Sequence, residues 1–209
     1  ELNAIVDNAH EAFLKWRTTS FEERAKIMNK AADIVERDKK KLAETMAKQM
    51  GKPVKQGIGE AELCAQILRY TAENGAEMLA DEEREIADHK KGIISYRPMG
   101  VILGMQPWNF PMYQCMRYSM AVIMAGNTTA FKHAELCHET AERIQKIYEE
   151  AGLPEDVFSV LYVDDETADE LISHDKIRGV PFTGSAAAGK IVAKEAGAHL
   201  KKTVLELGG

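Results

Sequence analysis

Apolar residues recur at helical spacing through the first part of the chain. Four of them share one face of a first predicted helix: Ile5, Ala9, Phe13 and Trp16. Ser20 followed three residues later by Glu23 is a capping box, which predicts the start of a second helix. That helix meets a stop signal at residues 51–53, Gly-Lys-Pro. A third helix follows, on which Glu60, Leu63, Ile67 and Tyr70 recur at helical spacing.

Short apolar runs and amphipathic segments alternate from Gly100 onwards. The runs predict strands at residues 101–103, 128–132, 158–163, 178–182 and 203–207. The segments between them predict helices at residues 112–125, 140–151, 166–173 and 186–196. Because each parallel step needs a crossover connection, this alternation predicts an α/β fold with a five-stranded, doubly wound parallel sheet.

A short extended segment separates the helical part from the alternating part. It covers residues 86–96 and contains a polar turn at residues 88–92. The chain therefore divides into a helical part at 1–85, an extended segment at 86–98 and the alternating region at 99–209.

The composition is that of an ordinary globular protein, with 45% hydrophobic and 29% charged residues among 209. A net charge of −6 argues against a nucleic-acid-binding surface. The longest apolar stretch near the middle, residues 120–125, is too short to span a bilayer. The first residues mix acids with apolar side chains, unlike a signal peptide. We expect neither a nucleic acid nor a membrane as a partner.

The cysteines and histidines predict no disulfide framework and no metal site. Cys64, Cys115 and Cys137 form no CxxC pair, and their odd number suits a reducing, cytoplasmic location. The six histidines lack metal-ligand spacing, so we interpret them as surface or packing residues.

Residues 184–190 are one position short of a phosphate-binding P-loop. Ile191 stands where that motif needs Ser or Thr for Mg²⁺, so a phosphotransferase is a weak alternative. The segment still lies between a predicted strand and a predicted helix, where backbone N–H groups can meet a phosphate.

The strand ends carry most of the candidate chemistry. In parallel sheets ligands bind at the carboxyl ends of the strands, so the segments that follow them are expected on one rim. They are residues 107–109, 132–135, 183–185 and 206–208.

Four motifs at this rim resemble those of the NAD(P)-dependent aldehyde dehydrogenase superfamily, in order and spacing. They are Pro-Trp-Asn-Phe-Pro at 107–111, Phe131-Lys132 with Glu135, Phe-Thr-Gly-Ser at 182–185 and Leu-Glu-Leu-Gly-Gly at 205–209. The resemblance covers essentially the whole chain. It implies a Rossmann-like cofactor-binding region at 99–209, an oligomerisation segment at 86–98 and a homo-oligomeric full-length protein.

The same resemblance assigns catalytic roles. Asn109 matches the amide donor to the oxyanion, and Glu206 matches the general base for deacylation. Without the resemblance, Asn109 is interpreted as a turn residue before Phe110 and Pro111. Glu206 is then interpreted as a helix-capping or salt-bridging acid. The family's nucleophilic cysteine lies downstream of the strand that holds Glu206, so we expect this chain to be an inactive N-terminal fragment. The alternative is that Cys64, Cys115 or Cys137 is the nucleophile.

The resemblance also implies a nicotinamide cofactor. The matching positions are Gln106, Pro107, Trp108, Asn109, Lys132, Glu135, Phe182, Thr183, Gly184, Ser185 and Leu207. A carboxylate at Glu135 accepts ribose hydroxyls and repels a 2′-phosphate, which favours NAD, whereas Lys132 could serve NADP. Asp165 and Asp169, near the adenine pocket, would weaken binding of an anionic cofactor.

Arg117 points to the class of substrate. It lies eight residues after Asn109, where succinate-semialdehyde dehydrogenases bind the substrate carboxylate with an arginine. A surface arginine on an amphipathic helix is the alternative. We therefore expect an enzyme that oxidises a small acidic aldehyde, succinate semialdehyde, to the acid. The competing interpretation is a catalytically inert nucleotide-binding module.

Overall fold

The first layer of the fold is helical. The computed structural model describes residues 2–87 and 90–208. Its first helices are α1 (Leu2–Trp16), α2 (Phe21–Met50) and α3 (Val54–Met78). The predicted capping box starts α2, since the Ser20 hydroxyl accepts the Glu23 N–H while Glu23 accepts the Ser20 N–H. Gly51, with φ of 76°, ends α2 in the left-handed conformation that glycine tolerates.

An antiparallel hairpin follows the helices. Its strands are β1 (Glu82–Ile86) and β2 (Lys90–Ile94). The extended segment thus begins at Glu82, inside the range predicted to be helical. The prediction missed β1 because its residues are mainly charged and show no alternation of apolar and polar side chains. Lys90, Lys91 and Gly92 belong to β2 and not to the predicted turn. Asp88 and His89 lie outside the described residues.

The alternating region forms the predicted parallel sheet. Its strands are β3 (Val101–Gln106), β4 (Thr128–His133), β5 (Phe158–Leu161), β6 (Ile177–Gly184) and β7 (Lys202–Leu207). The helices between them are α4 (Pro111–Met124), α5 (His138–Ala151), α6 (Asp165–Ile172) and α7 (Ala186–Ala198). In this part of the chain the strand order is β5-β4-β3-β6-β7, and every pairing is parallel. β3 extends beyond its predicted end at residue 103, since Gly104 and Gln106 are still paired with β4. The prediction stopped early because these two residues break the apolar pattern.

The order of the strands creates a switch point between β3 and β6. The chain builds outwards from β3 to β5 and then crosses back to place β6 on the other side of β3. The loops that leave the carboxyl ends of β3 and β6 therefore diverge, which opens a crevice between them.

Helices cover both faces of the sheet. One apolar cluster joins α2, α3, α4 and α5 to one face, and a second joins α1, α6 and α7 to the other. β3 and β4 are consequently buried at every position. Gly104 permits the close packing of α4, since a Cβ there would lie 2.2 Å from the Tyr118 hydroxyl oxygen.

The buried face of α3 differs from the predicted stripe. Its buried apolar residues are Ala61, Cys64, Ala65 and Leu68. Leu63 and Tyr70 are exposed. Most residues on the buried side are small, and α2 approaches closely there, since a Cβ at Gly57 would lie 2.9 Å from the Cα of Ala43. Small residues give a weak periodic signal. No helix within residues 2–87 and 90–208 is long and apolar enough to cross a membrane.

Candidate functional site

The carboxyl edge of the sheet holds two adjoining clefts. The first, of about 630 Å³, lies between the ends of β3, β4 and β6 and helices α6 and α7. The second, of about 540 Å³, lies between the β3–α4 loop, α4 and the end of β7. Pro107 and residues 183–185 line both clefts. The structure thus brings every candidate residue to one rim.

The candidates divide between the two clefts. The first cleft is lined by Gln106, Pro107, Lys132, Glu135, Phe182, Thr183, Gly184 and Ser185. The second is lined by Pro107, Trp108, Asn109, Arg117, Thr183, Gly184, Ser185, Glu206 and Leu207. The expected cofactor contacts are therefore spread over both clefts, with Lys132 and Glu135 in the first alone and Trp108 in the second alone. Both expected catalytic residues lie in the second cleft with Arg117.

Asn109 lies on the loop between β3 and α4 with its amide group accessible. Its Oδ1 accepts the N–H of Phe110 at 3.1 Å. Among the described residues the amide nitrogen has no hydrogen-bond partner, and the side chain is exposed. Asn109 lines the second cleft, so its N–H₂ group can donate to a ligand there.

Arg117 and Glu206 form an ion pair across the second cleft. Arg117 Nη1 lies 3.3 Å from Glu206 Oε1, and the side chains are 34% and 52% exposed. The guanidinium also packs against the ring of Tyr113, 5.9 Å from its centroid. Because solvent screens such a pair, it contributes at most about 1 kcal/mol, and either partner can exchange it for another contact.

The first cleft has one buried cation and several carboxylates. The ammonium of Lys132, on a side chain only 9% exposed, is paired with the carboxylate of the exposed Asp165. Asp169 also lines this cleft, and burial raises the pKa of its carboxyl, with a further contribution from Asp165. Glu135 is exposed at the cleft wall. Asp165 and Asp169 both line this cleft, and their place near an adenine ring stays a prediction.

The N-terminus of α7 opens into both clefts. Ser185 caps the helix, and its hydroxyl accepts the Ala188 N–H at 3.2 Å. Before it, Gly184 is packed so closely that a Cβ would lie 2.6 Å from the Phe182 ring. The backbone there can approach a ligand closely, and the helix N-terminus favours an anionic one.

His133 links the end of β4 to the start of α4. It is fully buried, as a packing residue should be. Its Nδ1 accepts the Ala134 N–H at 2.9 Å, so the proton is on Nε2, which donates to the Pro111 carbonyl at 3.0 Å. Burial lowers the pKa of His133 to about 4, so the ring is neutral at neutral pH.

Sequence reasoning missed a buried ion pair beneath the rim. Glu60 of α3 accepts the N–H groups of Met112 and Tyr113 at the start of α4, and Lys52 pairs with its other oxygen. The available signal was Glu60 itself, a carboxylate among the helically spaced residues of the third predicted helix. Buried carboxylates are seldom found without a partner.

The cysteines are unsuited to nucleophilic catalysis. All three are buried, and none lines either cleft. Burial raises the pKa of Cys64 and Cys115 well above their usual range and that of Cys137 to about 11. A thiol in such surroundings stays protonated and inert. The described residues also contain no group of three His, Cys, Asp or Glu side chains placed to hold a metal ion.

Comparison with known proteins identifies the family. The model of the aldehyde dehydrogenase family matches residues 1–209. The chain belongs to this family. A probable succinate-semialdehyde dehydrogenase [NADP(+)] of Synechocystis is 41% identical over 209 residues, all of this chain and 46% of the relative. An Escherichia coli K12 protein named succinate semialdehyde dehydrogenase [NAD(P)+] is 35% identical, over all of this chain and 45% of the relative.

A solved structure from the same family has nearly the same fold. The succinic semialdehyde dehydrogenase of Streptococcus pyogenes, crystallised with NADP+, superposes with a TM-score of 0.96 at 37% identity. The match covers all of this chain and 46% of the Streptococcus chain. The chain thus spans about half the length of the relatives that it matches.

We predict that His133 makes the stability of the protein depend on pH. The neutral ring is needed in the folded state, where its pKa is about 4, against 6.5 for an unperturbed histidine. The unfolded chain therefore binds the extra proton between these values, and stability falls as pH drops from 6.5 toward 4. The loss is on the order of 3 kcal/mol. Urea unfolding of wild type and His133→Gln at several pH values measures it, and equal pH slopes would contradict the prediction.

Proposed function

We propose that the complete protein oxidises a small acidic aldehyde, succinate semialdehyde, to the carboxylic acid with a nicotinamide cofactor. One observation carries the proposal. A cleft with a buried lysine and a helix N-terminus adjoins a cleft holding an amide donor, a carboxylate and an arginine, and Pro107 and residues 183–185 form their common wall. Such an arrangement supports the binding of an aldehyde beside a hydride acceptor.

The first cleft suits NAD(P). Gln106 is buried, and its Oε1 has no partner in the described residues, so it can accept a hydrogen bond from a ligand. The N-terminus of α7 suits the pyrophosphate, and Lys132 and Glu135 suit the adenosine ribose. When bound there, the cofactor supplies the acceptor for the hydride that leaves the substrate.

Asn109 and Glu206 have separate tasks in this proposal. The amide N–H₂ of Asn109 donates to the oxygen that becomes negative when a thiolate adds to the aldehyde carbon. Once hydride has left this adduct a thioester remains, and Glu206 takes a proton from the water that hydrolyses it. Because Cys64, Cys115 and Cys137 are buried away from both clefts, we propose that the thiol lies outside these 209 residues. The isolated chain would then bind cofactor without turnover.

Arg117 is proposed to bind the substrate carboxylate. Its fork of N–H donors suits a planar carboxylate, and one of these donors already contacts the carboxylate of the exposed Glu206 at 3.3 Å. An incoming carboxylate would replace Glu206 on Arg117 and leave Glu206 free to meet water.

The distribution of charge in the first cleft favours NAD over NADP. Glu135 and Asp169 line the wall as carboxylates, and the cation that could hold a 2′-phosphate, Lys132, is already paired with Asp165. We propose NAD as the preferred cofactor, although relatives of this chain are named as NADP(+) or NAD(P)+ enzymes.

The proposed assembly is a homo-oligomer in the cytoplasm. Ile86, Ile93 and Ile94 of the hairpin are exposed apolar residues, which supports an interface at this segment. Both the assembly and the location stay predictions.

Replacing Glu206 tests its role as general base. In the complete protein, Glu206→Gln should retain the first, rapid formation of NADH and lose steady-state turnover by about 10²–10⁴-fold, because the amide cannot take a proton from water. Stopped-flow absorbance at the start of the reaction separates the two phases. Glu44→Gln, which removes an exposed carboxylate from α2, is the matched control. Steady-state turnover at the wild-type rate in Glu206→Gln would contradict the role.

Replacing Arg117 tests the class of substrate. Arg117→Ala in the complete protein should raise KM for succinate semialdehyde by about tenfold or more, since a hydrogen bond to a charged group contributes about 1.5–3 kcal/mol. KM for butanal, which has no carboxylate, should change much less. Steady-state kinetics with both aldehydes gives the comparison. Equal increases for the two substrates would remove the argument for an acidic aldehyde.

Replacing Asp165 tests the choice of cofactor. Asp165→Asn should release Lys132 and remove one negative charge, so kcat/KM with NADP should rise relative to NAD by about tenfold. Glu166→Gln removes the same charge from the next residue, which does not line the cleft, and should leave the ratio unchanged. Parallel assays with the two cofactors measure the ratio. No change in Asp165→Asn would show that Asp165 has no part in selection.

A further inference from the structure

A carboxylate from α3 caps the helix that follows the Asn109 loop. The side chain of Glu60 is only 1% exposed. Its Oε1 accepts the N–H groups of Met112 and Tyr113, each at 2.9 Å. These are first-turn donors of α4, which have no partner within their own helix. The start of α4 is therefore attached to a helix that is distant in the sequence.

Among the residues that the structure describes, no other side chain caps this end of α4. Its N-cap residue is Phe110, which cannot accept a hydrogen bond through its side chain, and Pro111 follows without an N–H. Glu60 thus takes the place that Ser, Thr, Asp or Asn usually occupies. Its negative charge also suits the positive end of the helix dipole.

Lys52 extends this contact to the residue beside Asn109. Its ammonium pairs with Oε2 of Glu60, and its side chain is 6% exposed. The same ammonium lies 4.0 Å from the centroid of the Phe110 ring, a cation–π contact. Phe110 and Met112, on both sides of Pro111, are therefore held by one buried ion pair.

His133 holds the same loop from the sheet. Its Nε2 donates to the carbonyl of Pro111 at 3.0 Å. The backbone from Phe110 to Tyr113 is thus constrained through its N–H groups by Glu60 and through a carbonyl by His133. Asn109, whose own side chain is exposed, depends on this backbone for the direction of its amide.

We propose that Glu60 is a positioning residue for Asn109, with Lys52 as its counter-charge. The inference rests on the proposed role of Asn109 as oxyanion donor. Glu60 lines neither cleft, so it acts only through the loop. An oxyanion donor stabilises the transition state only when it is aimed in advance at the developing charge, and small displacements cost large factors in rate.

A double-mutant cycle in the complete protein tests the proposal. Glu60→Gln keeps an oxygen for the two N–H groups but places an N–H₂ group against Lys52, so the cap is disturbed at nearly constant volume. The single-turnover rate of NADH formation should fall about tenfold or more, whereas the Kd for NAD should stay within about twofold, because the loss concerns transition-state stabilisation. In the Asn109→Ala background, Glu60→Gln should have almost no further effect on the rate.

The outcomes distinguish the positioning role of Glu60 from the proposed role of Asn109 as oxyanion donor. If Glu60→Gln lowers the rate by the same factor in the wild-type protein and in the Asn109→Ala variant, Glu60 does not act through Asn109 and the inference is overturned. If Asn109→Ala itself leaves the rate unchanged, the proposed function fails instead. Glu62→Gln, on the same helix with a half-exposed carboxylate that pairs with Lys39, is the matched control and should keep the wild-type rate.

Hydrogen exchange in the wild-type protein provides a test that needs no variant. The cap predicts slow exchange of the Met112 and Tyr113 amides, although first-turn amides ordinarily exchange fast for want of a partner. Slow exchange at both supports the cap, and it keeps the inference testable if Glu60→Gln does not fold. Exchange of both amides at the rate of unprotected amides would overturn it.

Discussion

The pairing of β3 with β6 is the constraint on which the rim depends. These strands are distant in the chain, and they become neighbours only because the connection after β5 crosses back over the sheet. The chain leaves their carboxyl ends in different directions. β3 leads into the loop that holds Asn109, and β6 leads into Ser185 and α7. The two clefts share a wall because these ends lie side by side. A site of this kind needs a rigid sheet, and helices on both faces provide it.

Two ion pairs near the rim differ in their physical consequences. The pair of Lys52 and Glu60 is almost fully buried, and further contacts to the backbone and an aromatic ring satisfy its remaining groups. Removing one partner would leave an uncompensated charge, so this pair is suited to hold a backbone in place. The pair of Arg117 and Glu206 is exposed and screened. It can dissociate at little cost, which suits residues that must exchange partners during a reaction.

Much of the fold could be predicted because local signals and tertiary structure agree. The capping box of Ser20 and Glu23 and the stop at Gly51 act within one turn of helix, so neighbouring residues suffice to define them. The alternating apolar runs after Gly100 required crossovers and hence a parallel sheet. Prediction failed where the local signal was weak. β1 consists mainly of charged residues, and the buried face of α3 consists mainly of small residues, which give a weak periodic signal.

The sequence by itself determined the elements, the class of the sheet and the rim on which the candidate residues lie. It did so because hydrophobic periodicity is local and because parallel strands all end at the same edge. Only the tertiary structure decided which side chains meet there. Arg117 contacts Glu206, Lys132 is paired with Asp165, and Glu60 caps a helix that begins far along the chain. Such contacts join residues separated by long stretches of sequence, and their geometry is set by how helices pack on the sheet rather than by any pattern of neighbours.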